Sequence, residues 1–277
     1  MDQYPSPMAD SVRSHQRIEN KEMPGLSIDL KDVLARPVEI YVADQGHEFD
    51  QVDMLIHFHG AGYVPRYAVY EAEHPLILAV VNLGAGSSVY EREFQEESVF
   101  PSLIESIIDS VSQSKSVVRE PRRIYLSGFS AGYGAVRAIL KGHESEVDGI
   151  ILLDGLHTGY VPPRQVLAEG GGLNEEKLKG FVDFARRAVE GEKRMLITHS
   201  EIFPGTYAST TETTDFIINS LNLQRRPVVR WGPVGMQLLS ETRVKGLTIL
   251  GFAGNSAPDH IDHFHGLPEF LKMFLKN

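Results

Sequence analysis

The sequence of 277 residues contains no cysteine. Disulfide bonds, thiolate metal ligands and a cysteine nucleophile are therefore excluded, whereas the cellular compartment stays open. Positive charge is also scarce, because 27 Lys and Arg residues face 37 Asp and Glu residues and leave a formal net charge of -10. A field of this sign repels nucleic acid and anionic lipid, so we expect neither as a general partner.

Long apolar runs are missing as well. No stretch reaches the roughly 18 consecutive apolar residues of a membrane span, so we expect none. Residues 1–25 are polar and lack the apolar segment of a signal peptide, which predicts a poorly ordered N-terminal arm and leaves both a cytoplasmic location and export with a trimmed leader open. The length of the remainder, 26–277, predicts a single domain. The sequence does not distinguish a monomer from an oligomer.

Apolar runs alternate along the chain with segments of helical periodicity. We predict strands over 37–42, 52–59, 76–83, 124–126, 150–153, 194–199, 236–244 and 247–252. Helices are predicted over 99–111, after residue 132, over 174–191 and 215–221, and from Pro268 onward. This alternation predicts an α/β fold with a mostly parallel central sheet and helices on both faces. Residues 157–192 interrupt it, and we expect either a small cap insertion or a crossover helix with a long lead-in loop.

The most informative stretch is 123–140, RIYLSGFSAGYGAVRAIL. An apolar strand leads into Gly128-x-Ser130-x-Gly132, and a helical pattern follows, which is the local context of a nucleophile elbow. In such a turn, glycines two before and two after the serine let neighbouring backbone approach. We therefore predict that Ser130 is a catalytic nucleophile, with a structural turn in a Gly/Ser-rich loop as the alternative.

Two further stretches accompany this motif. HFHGAGY ends an apolar strand upstream, and His260, His263 and His265 follow the last predicted strand. Together with GFSAGYG, they resemble the α/β-hydrolase superfamily, in particular its serine esterase-like members, over residues 38–277. The resemblance implies the α/β-hydrolase fold, a Ser-acid-His triad, no organic cofactor or metal, and hydrolysis of an ester, thioester or amide through an acyl-enzyme. We expect a carboxylesterase with a small-molecule substrate.

The same resemblance implies an oxyanion hole. One donor would be the backbone N–H of Ala131, directly after the serine. The second would come from the loop after the upstream strand, where the small residues Ala61 and Gly62 leave their amides unobstructed. A glycine-rich turn without chemistry is the alternative for this loop.

The acid of the triad has two main candidates, because the family's chain order is serine, acid, histidine. Asp154 follows four aliphatic residues at a strand end, where a carboxylate is costly to bury without a partner. Glu201 follows the next strand, which is the commoner position in this fold, although the loop there lacks the usual acid pattern. Both stay open, with Asp215 and Asp259 as less favoured choices.

The base also stays open, mainly between two residues, with His265 as a less favoured choice. His260 is the first histidine after the last strand, and His263 lies one helical turn further on, so both share a face if this segment is helical. The substrate-binding residues that we predict are His59, Tyr63, His157 and Tyr207.

Two other classes of function compete with a serine hydrolase. The chain could be a catalytically silent binding protein with the same fold. It could also be a metal-dependent hydrolase in which His57 and His59, alternating on a strand, join the cluster 260–265 as ligands.

Overall fold

The structure is a computed structural model that describes residues 17–44, 52–114 and 121–276. Within these ranges the chain forms twelve strands: β1 (Gly25–Leu30), β2 (Val38–Ala43), β3 (Asp53–Phe58), β4 (Leu76–Val81), β5 (Ile124–Phe129), β6 (Gly149–Leu153), β7 (Tyr160–Val161), β8 (Gly172–Leu173), β9 (Arg194–His199), β10 (Arg226–Trp231), β11 (Gln237–Val244) and β12 (Leu247–Phe252). The same ranges contain eight α-helices: α1 (Tyr63–Ala72), α2 (Ser87–Glu93), α3 (Val99–Ser114), α4 (Tyr133–His143), α5 (Lys179–Glu190), α6 (Thr210–Ser220), α7 (Ala257–His265) and α8 (Leu267–Lys276).

The chain divides into two compact units. The first unit consists of Ile18–Ile151 with Leu267–Lys276, and the second is formed mainly by Leu152–Gly266. In the first unit the strand order is β1-β2-β4-β3-β5, with β3 parallel to β4 and β5 and the other pairs antiparallel. In the second unit the order is β9-β12-β11-β10, with β9 parallel to β12 and the other pairs antiparallel. The predicted α/β class with a large, mostly parallel sheet is confirmed.

The buried strands are those with continuous apolar runs. Every residue of β3, β4 and β6 is buried, which is typical of parallel strands covered on both faces. Such strands end at a common edge of their sheet, and in this fold class functional residues follow their carboxyl ends. The residues that immediately follow β3, β4 and β6 are therefore candidates for a functional site.

The elements that the sequence patterns did not predict include β1, β10, α1 and α2. Both strands are largely exposed and lack the apolar runs that mark a buried strand. Helix α1 carries Pro65 in its first turn, a position where the missing N–H costs no helical hydrogen bond. Helix α2 is only seven residues long, which is too short for a clear periodic pattern.

The two segments that the sequence analysis set apart are the N-terminal arm, residues 1–25, and the possible cap, residues 157–192. Of the arm, residues 1–16 lie outside the described residues, whereas Arg17 Nε donates a hydrogen bond of 2.9 Å to Asp262. Residues 157–192 form the two-stranded hairpin β7–β8 and then α5, which buries Phe181, Phe184 and Ala185. Whether this segment is a cap stays a prediction. In the part of the chain that the structure describes, helices long and apolar enough to cross a membrane are absent.

Candidate active site

Ser130 occupies a strained turn between β5 and α4. Its φ is +47°, a left-handed conformation that costs a non-glycine residue about 1–2 kcal/mol and that clusters at functional sites. A short 3-10 turn over Ser130–Gly132 then leads into α4. The serine is half-buried, while every residue of the following helix up to Leu140 is buried. The turn therefore leaves the serine at the surface of an otherwise buried segment.

The glycines on either side of Ser130 allow close backbone contact. A Cβ on Gly132 would lie 2.1 Å from the carbonyl oxygen of Phe58, the last residue of β3. A Cβ on Gly128 would lie 3.0 Å from the carbonyl carbon of Gly132. The turn at Ser130 is consequently packed directly against the end of β3, and the loop that follows β3 begins beside this turn.

This loop is held by Asn82, a residue that the sequence analysis missed. The Gly60 N–H donates to Asn82 Oδ1 at 3.0 Å, and Asn82 Nδ2 donates to the Gly60 carbonyl at 2.8 Å. Both His59 and Gly60 have positive φ, +71° and +118°, so the backbone turns sharply before Ala61. No local sequence signal marks Asn82, because the two bonded residues are 22 positions apart.

His59 and Tyr63, both predicted to bind substrate, flank the same loop. The ring of His59 stacks on Phe129 with 6.1 Å between centroids, and its Nδ1 lies 3.0 Å from the Tyr90 hydroxyl. Tyr63 is the first residue of α1 and is half-buried. His59 is thus tied to the residue that precedes Ser130.

The expectation that His57 and His59 alternate on one strand is wrong, because β3 ends at Phe58 and the chain turns at His59. His57 is buried, with Nδ1 3.0 Å from Ser127 Oγ and Nε2 2.9 Å from the His59 carbonyl. Burial lowers the pKa of His57 to about 3, which keeps it neutral. Among the described residues, no three His, Asp or Glu side chains are grouped in a way that could hold a metal ion.

Asp154, in the second unit, receives four hydrogen bonds. It follows β6 directly, has φ +41° and is 2% exposed. Ser200 donates to it twice, from its N–H to Oδ1 and from its hydroxyl to Oδ2, each at 2.8 Å. Thr210 Oγ1 donates to Oδ1 at 3.2 Å, and His260 Nδ1 donates to Oδ2 at 2.7 Å. The structure therefore brings the two sequence candidates Asp154 and His260 into direct contact.

The charge of Asp154 follows from these partners. Burial alone would raise the pKa of this carboxyl group, but the nearby imidazoles of His263 and His260 and the Ser200 N–H lower it by more. The net effect holds the pKa of Asp154 well below its usual range. An ionised, buried carboxylate on Nδ1 orients the imidazole of His260 and stabilises its cation.

His260 lies in the first turn of α7. Ser256 caps this helix, and Asp259 completes the capping box by accepting the Ser256 N–H at 2.8 Å. The carboxylate of Asp259, a less favoured acid candidate, is therefore engaged with the helix end. The side chain of His260 is 24% exposed, so its ring is partly accessible while Nδ1 faces Asp154.

His263 is placed differently from His260. It is fully buried, its Nδ1 lies 2.7 Å from Thr198 Oγ1, and its ring meets Phe252 edge-to-face at 5.4 Å. Burial lowers the pKa of His263 to about 4, so the ring is neutral at pH 7. His265 is also buried, with its pKa lowered to about 4 by burial and by Arg17.

The remaining candidates lie on loops of the second unit. Glu201 is exposed and accepts the Gly254 N–H at 3.2 Å. His157 donates to the Ala208 carbonyl at 2.9 Å, and its ring meets that of Tyr207 edge-to-face at 5.0 Å. Ser200 and Thr210, which bind Asp154, were missed because hydroxyl residues are common in loops and carry no pattern of their own.

No protein-family model matches the sequence, and no curated protein matches it. Solved structures do resemble the fold. A feruloyl esterase module from Clostridium thermocellum, complexed with sinapinate, has a TM-score of 0.52 at 12% identity and covers 95% of each chain. The enterobactin esterase from Shigella flexneri has a TM-score of 0.57 at 12% identity, and the match covers 93% of this chain and 61% of that one.

These similarities establish the class of fold. The chain has the α/β-hydrolase fold, as the resemblance in its motifs implies. Both of these structures are esterases by name, whereas identity of 12% transfers neither an activity nor a substrate.

Proposed function

We propose that this protein is a serine hydrolase that cleaves carboxylic esters, with Ser130 as nucleophile, His260 as base and Asp154 as the acid that orients the base. The observation that carries the proposal is the 2.7 Å hydrogen bond from His260 Nδ1 to Asp154. With Nδ1 engaged in this way, Nε2 is the nitrogen that can take a proton from a serine hydroxyl. The strained turn at Ser130 supports the assignment of the nucleophile.

The proposed reaction has two halves. His260 removes the proton of the Ser130 hydroxyl while the oxygen attacks the ester carbonyl, and the tetrahedral oxyanion accepts hydrogen bonds from the N–H of Ala131 and of Ala61 or Gly62. The intermediate collapses, and the leaving alcohol takes the proton from His260. Water then attacks the acyl-enzyme with His260 again as base, which releases the acid and restores Ser130.

Esters are proposed rather than amides because a feruloyl esterase module and an enterobactin esterase are among the solved structures that resemble this fold. The substrate is a small molecule in this proposal. The loops of the second unit that carry His157 and Tyr207 are proposed to contact it.

Labelling with a fluorophosphonate probe tests the proposal. We expect wild-type protein to be labelled at one site, and both Ser130→Ala and His260→Ala to abolish labelling and the hydrolysis of 4-nitrophenyl acetate. Glu201→Gln, which changes an exposed carboxylate, serves as the control and should retain both.

Other outcomes would replace the proposal. A folded wild-type protein without labelling or turnover would indicate a binding protein with a hydrolase fold. Turnover that is lost with a chelator and indifferent to Ser130→Ala would indicate a metal-dependent hydrolase.

A further inference from the structure

Most of the exposed large apolar side chains lie on two segments of the second unit, one after β6 and one after β9. Among the described residues, six large hydrophobic side chains are exposed, and four of them lie after β6 or β9: Val161, Leu167, Phe203 and Tyr207. Asp154 directly follows β6 and Ser200 directly follows β9, and the Ser200 hydroxyl donates to the Asp154 carboxylate that also accepts from His260. Exposed apolar side chains on the segment that begins at Ser200 mark a surface that a ligand can remove from water.

The loop with both aromatic rings is anchored at each end. Ser200 starts it and holds the carboxylate of Asp154. Ala208 ends it, with its N–H donating to the Thr158 carbonyl at 2.9 Å. Phe203 lies three residues after Ser200, so their Cα atoms are at most about 11 Å apart. The loop is thereby kept close to the Asp154–His260 pair.

The two rings are also oriented by local contacts. Tyr207 meets the ring of His157 edge-to-face at 5.0 Å and still exposes 44% of its surface. Phe203 exposes 39%, and a Cβ on Gly205 would lie 3.8 Å from its Cε1, so the turn at Gly205, with φ +74°, folds back on this ring. The exposed rings of Phe203 and Tyr207 suit an aromatic group of a ligand better than a flexible alkyl chain, because aromatic rings stack with defined geometry.

We propose that Phe203 and Tyr207 form a platform that binds an aryl group of the ester substrate. This inference rests on the function proposed above and adds the substrate class, an aryl-substituted ester. The ring of the substrate stacks on one or both side chains, while its ester carbonyl is presented for acyl transfer. The platform contributes binding and orientation and takes no part in the chemical steps.

The test compares esters that differ in the aryl group. Hydrolysis of methyl 3-phenylpropanoate, 2-phenylethyl acetate and methyl butanoate is followed by proton release for wild type, Phe203→Leu and Tyr207→Leu. Leucine keeps apolar bulk and removes the ring. We expect each variant to lose about 10-fold in kcat/KM on at least one aryl ester, mainly through a higher KM, because a lost stack and its buried area are worth about one factor of ten. Methyl butanoate should change by less than twofold.

Two further variants serve as controls. Trp231→Leu removes another exposed ring, 76% accessible on β10, and should leave the ratio between aryl and alkyl esters unchanged. Tyr207→Phe keeps the ring and should keep the ratio as well. Equal losses on aryl and alkyl esters, or no loss on either, would overturn the platform alone. A wild-type protein that hydrolyses none of the three esters and is not labelled by the fluorophosphonate probe would overturn the proposed function as well. A labelled wild-type protein that hydrolyses neither aryl ester would overturn the platform alone.

Discussion

The two units hold their candidate catalytic residues by different means. In the first unit, Ser130 is positioned by backbone packing, since a Cβ on Gly132 would lie 2.1 Å from the Phe58 carbonyl oxygen and one on Gly134 2.2 Å from the Ser87 carbonyl oxygen. In the second unit, Asp154 is positioned by hydrogen bonds from four donors. The first unit positions Ser130 with glycines, which lack a side chain, and the second unit positions Asp154 with polar side chains.

The polar network of the second unit extends beyond Asp154. His199 Nε2 accepts a hydrogen bond from Arg225 at 2.7 Å, and Arg225 Nε in turn donates to Asp215 at 2.9 Å. Asp215, one of the less favoured acid candidates, is therefore paired with an arginine. Burial and the charge of Arg225 lower the pKa of His199 to about 4. We expect the loss of one donor to leave the other hydrogen bonds to Asp154 in place, whereas a Cβ on Gly132 would have no room beside the Phe58 backbone.

The largest expected effect separates the two acid candidates. Asp154→Asn should lower kcat/KM for 4-nitrophenyl acetate by about 10,000-fold, because an amide no longer holds the imidazole as a base and its cation loses a charge partner. Glu201→Gln, on an exposed side chain, should change it by less than threefold. Similar losses of kcat/KM in both variants would contradict the assignment of Asp154, and not Glu201, as the acid.

The next effect concerns the backbone contact of the first unit. Gly132→Ala should lower the free energy of unfolding by about 4 kcal/mol or prevent folding, because its Cβ meets the Phe58 backbone. Gly159→Ala is the matched control, since a Cβ there has no atom within 4 Å, and it should stay within about 0.5 kcal/mol of wild type. Urea denaturation measures both, and a stable Gly132→Ala protein would contradict the packing argument.

A smaller effect is expected from one donor to Asp154. Ser200→Ala removes a hydrogen bond of 2.8 Å from a buried carboxylate and should lower kcat by about 10- to 100-fold with little change in KM. It should also raise the pKa of Asp154, because the charged carboxylate loses a hydrogen-bond donor. Ser220→Ala, whose exposed hydroxyl binds the Phe216 carbonyl, is the control and should leave kcat unchanged. A kcat of Ser200→Ala within twofold of the wild-type value would contradict a role of Ser200 in holding Asp154.

The smallest effect is a pH dependence of stability. The folded-state pKa values of His199 and His263 are about 4, below the value of about 6.5 in an unfolded chain, so the unfolded state binds more protons between these limits. The free energy of unfolding should therefore fall as the pH falls below 6.5, by about 1 kcal/mol per histidine between pH 7 and 5.5. His199→Gln should flatten this dependence. A stability that rises on acidification would contradict the assignment of neutral, buried rings.

The sequence predicts some parts of this protein well because their causes are local. The spacing of Gly128, Ser130 and Gly132 after an apolar strand predicts a sharp turn, and the structure contains that turn with Ser130 at φ +47°. Continuous apolar runs predict the buried strands for the same reason. Exposed strands such as β10 escape prediction because edge position, and not composition, determines their pairing.

Other parts could not be predicted, because they depend on residues far apart in the chain. Asp154 and Glu201 are equivalent as strand-end acids in the sequence, and only the structure brings His260, 106 positions away, to Asp154. His260 and His263 share the helix α7, yet one is partly exposed and the other is fully buried beside Thr198. Asn82 and Ser200 carry no motif at all.

By itself, the amino-acid sequence determined the fold class, the sharp turn at Ser130 and the short set of candidate acids and bases, because strand periodicity, glycine spacing and chain order can be read without the folded structure. The tertiary structure alone decided which carboxylate meets which imidazole. That choice rests on the burial of Asp154 and on donors from three separate segments, and burial is a property of the folded chain.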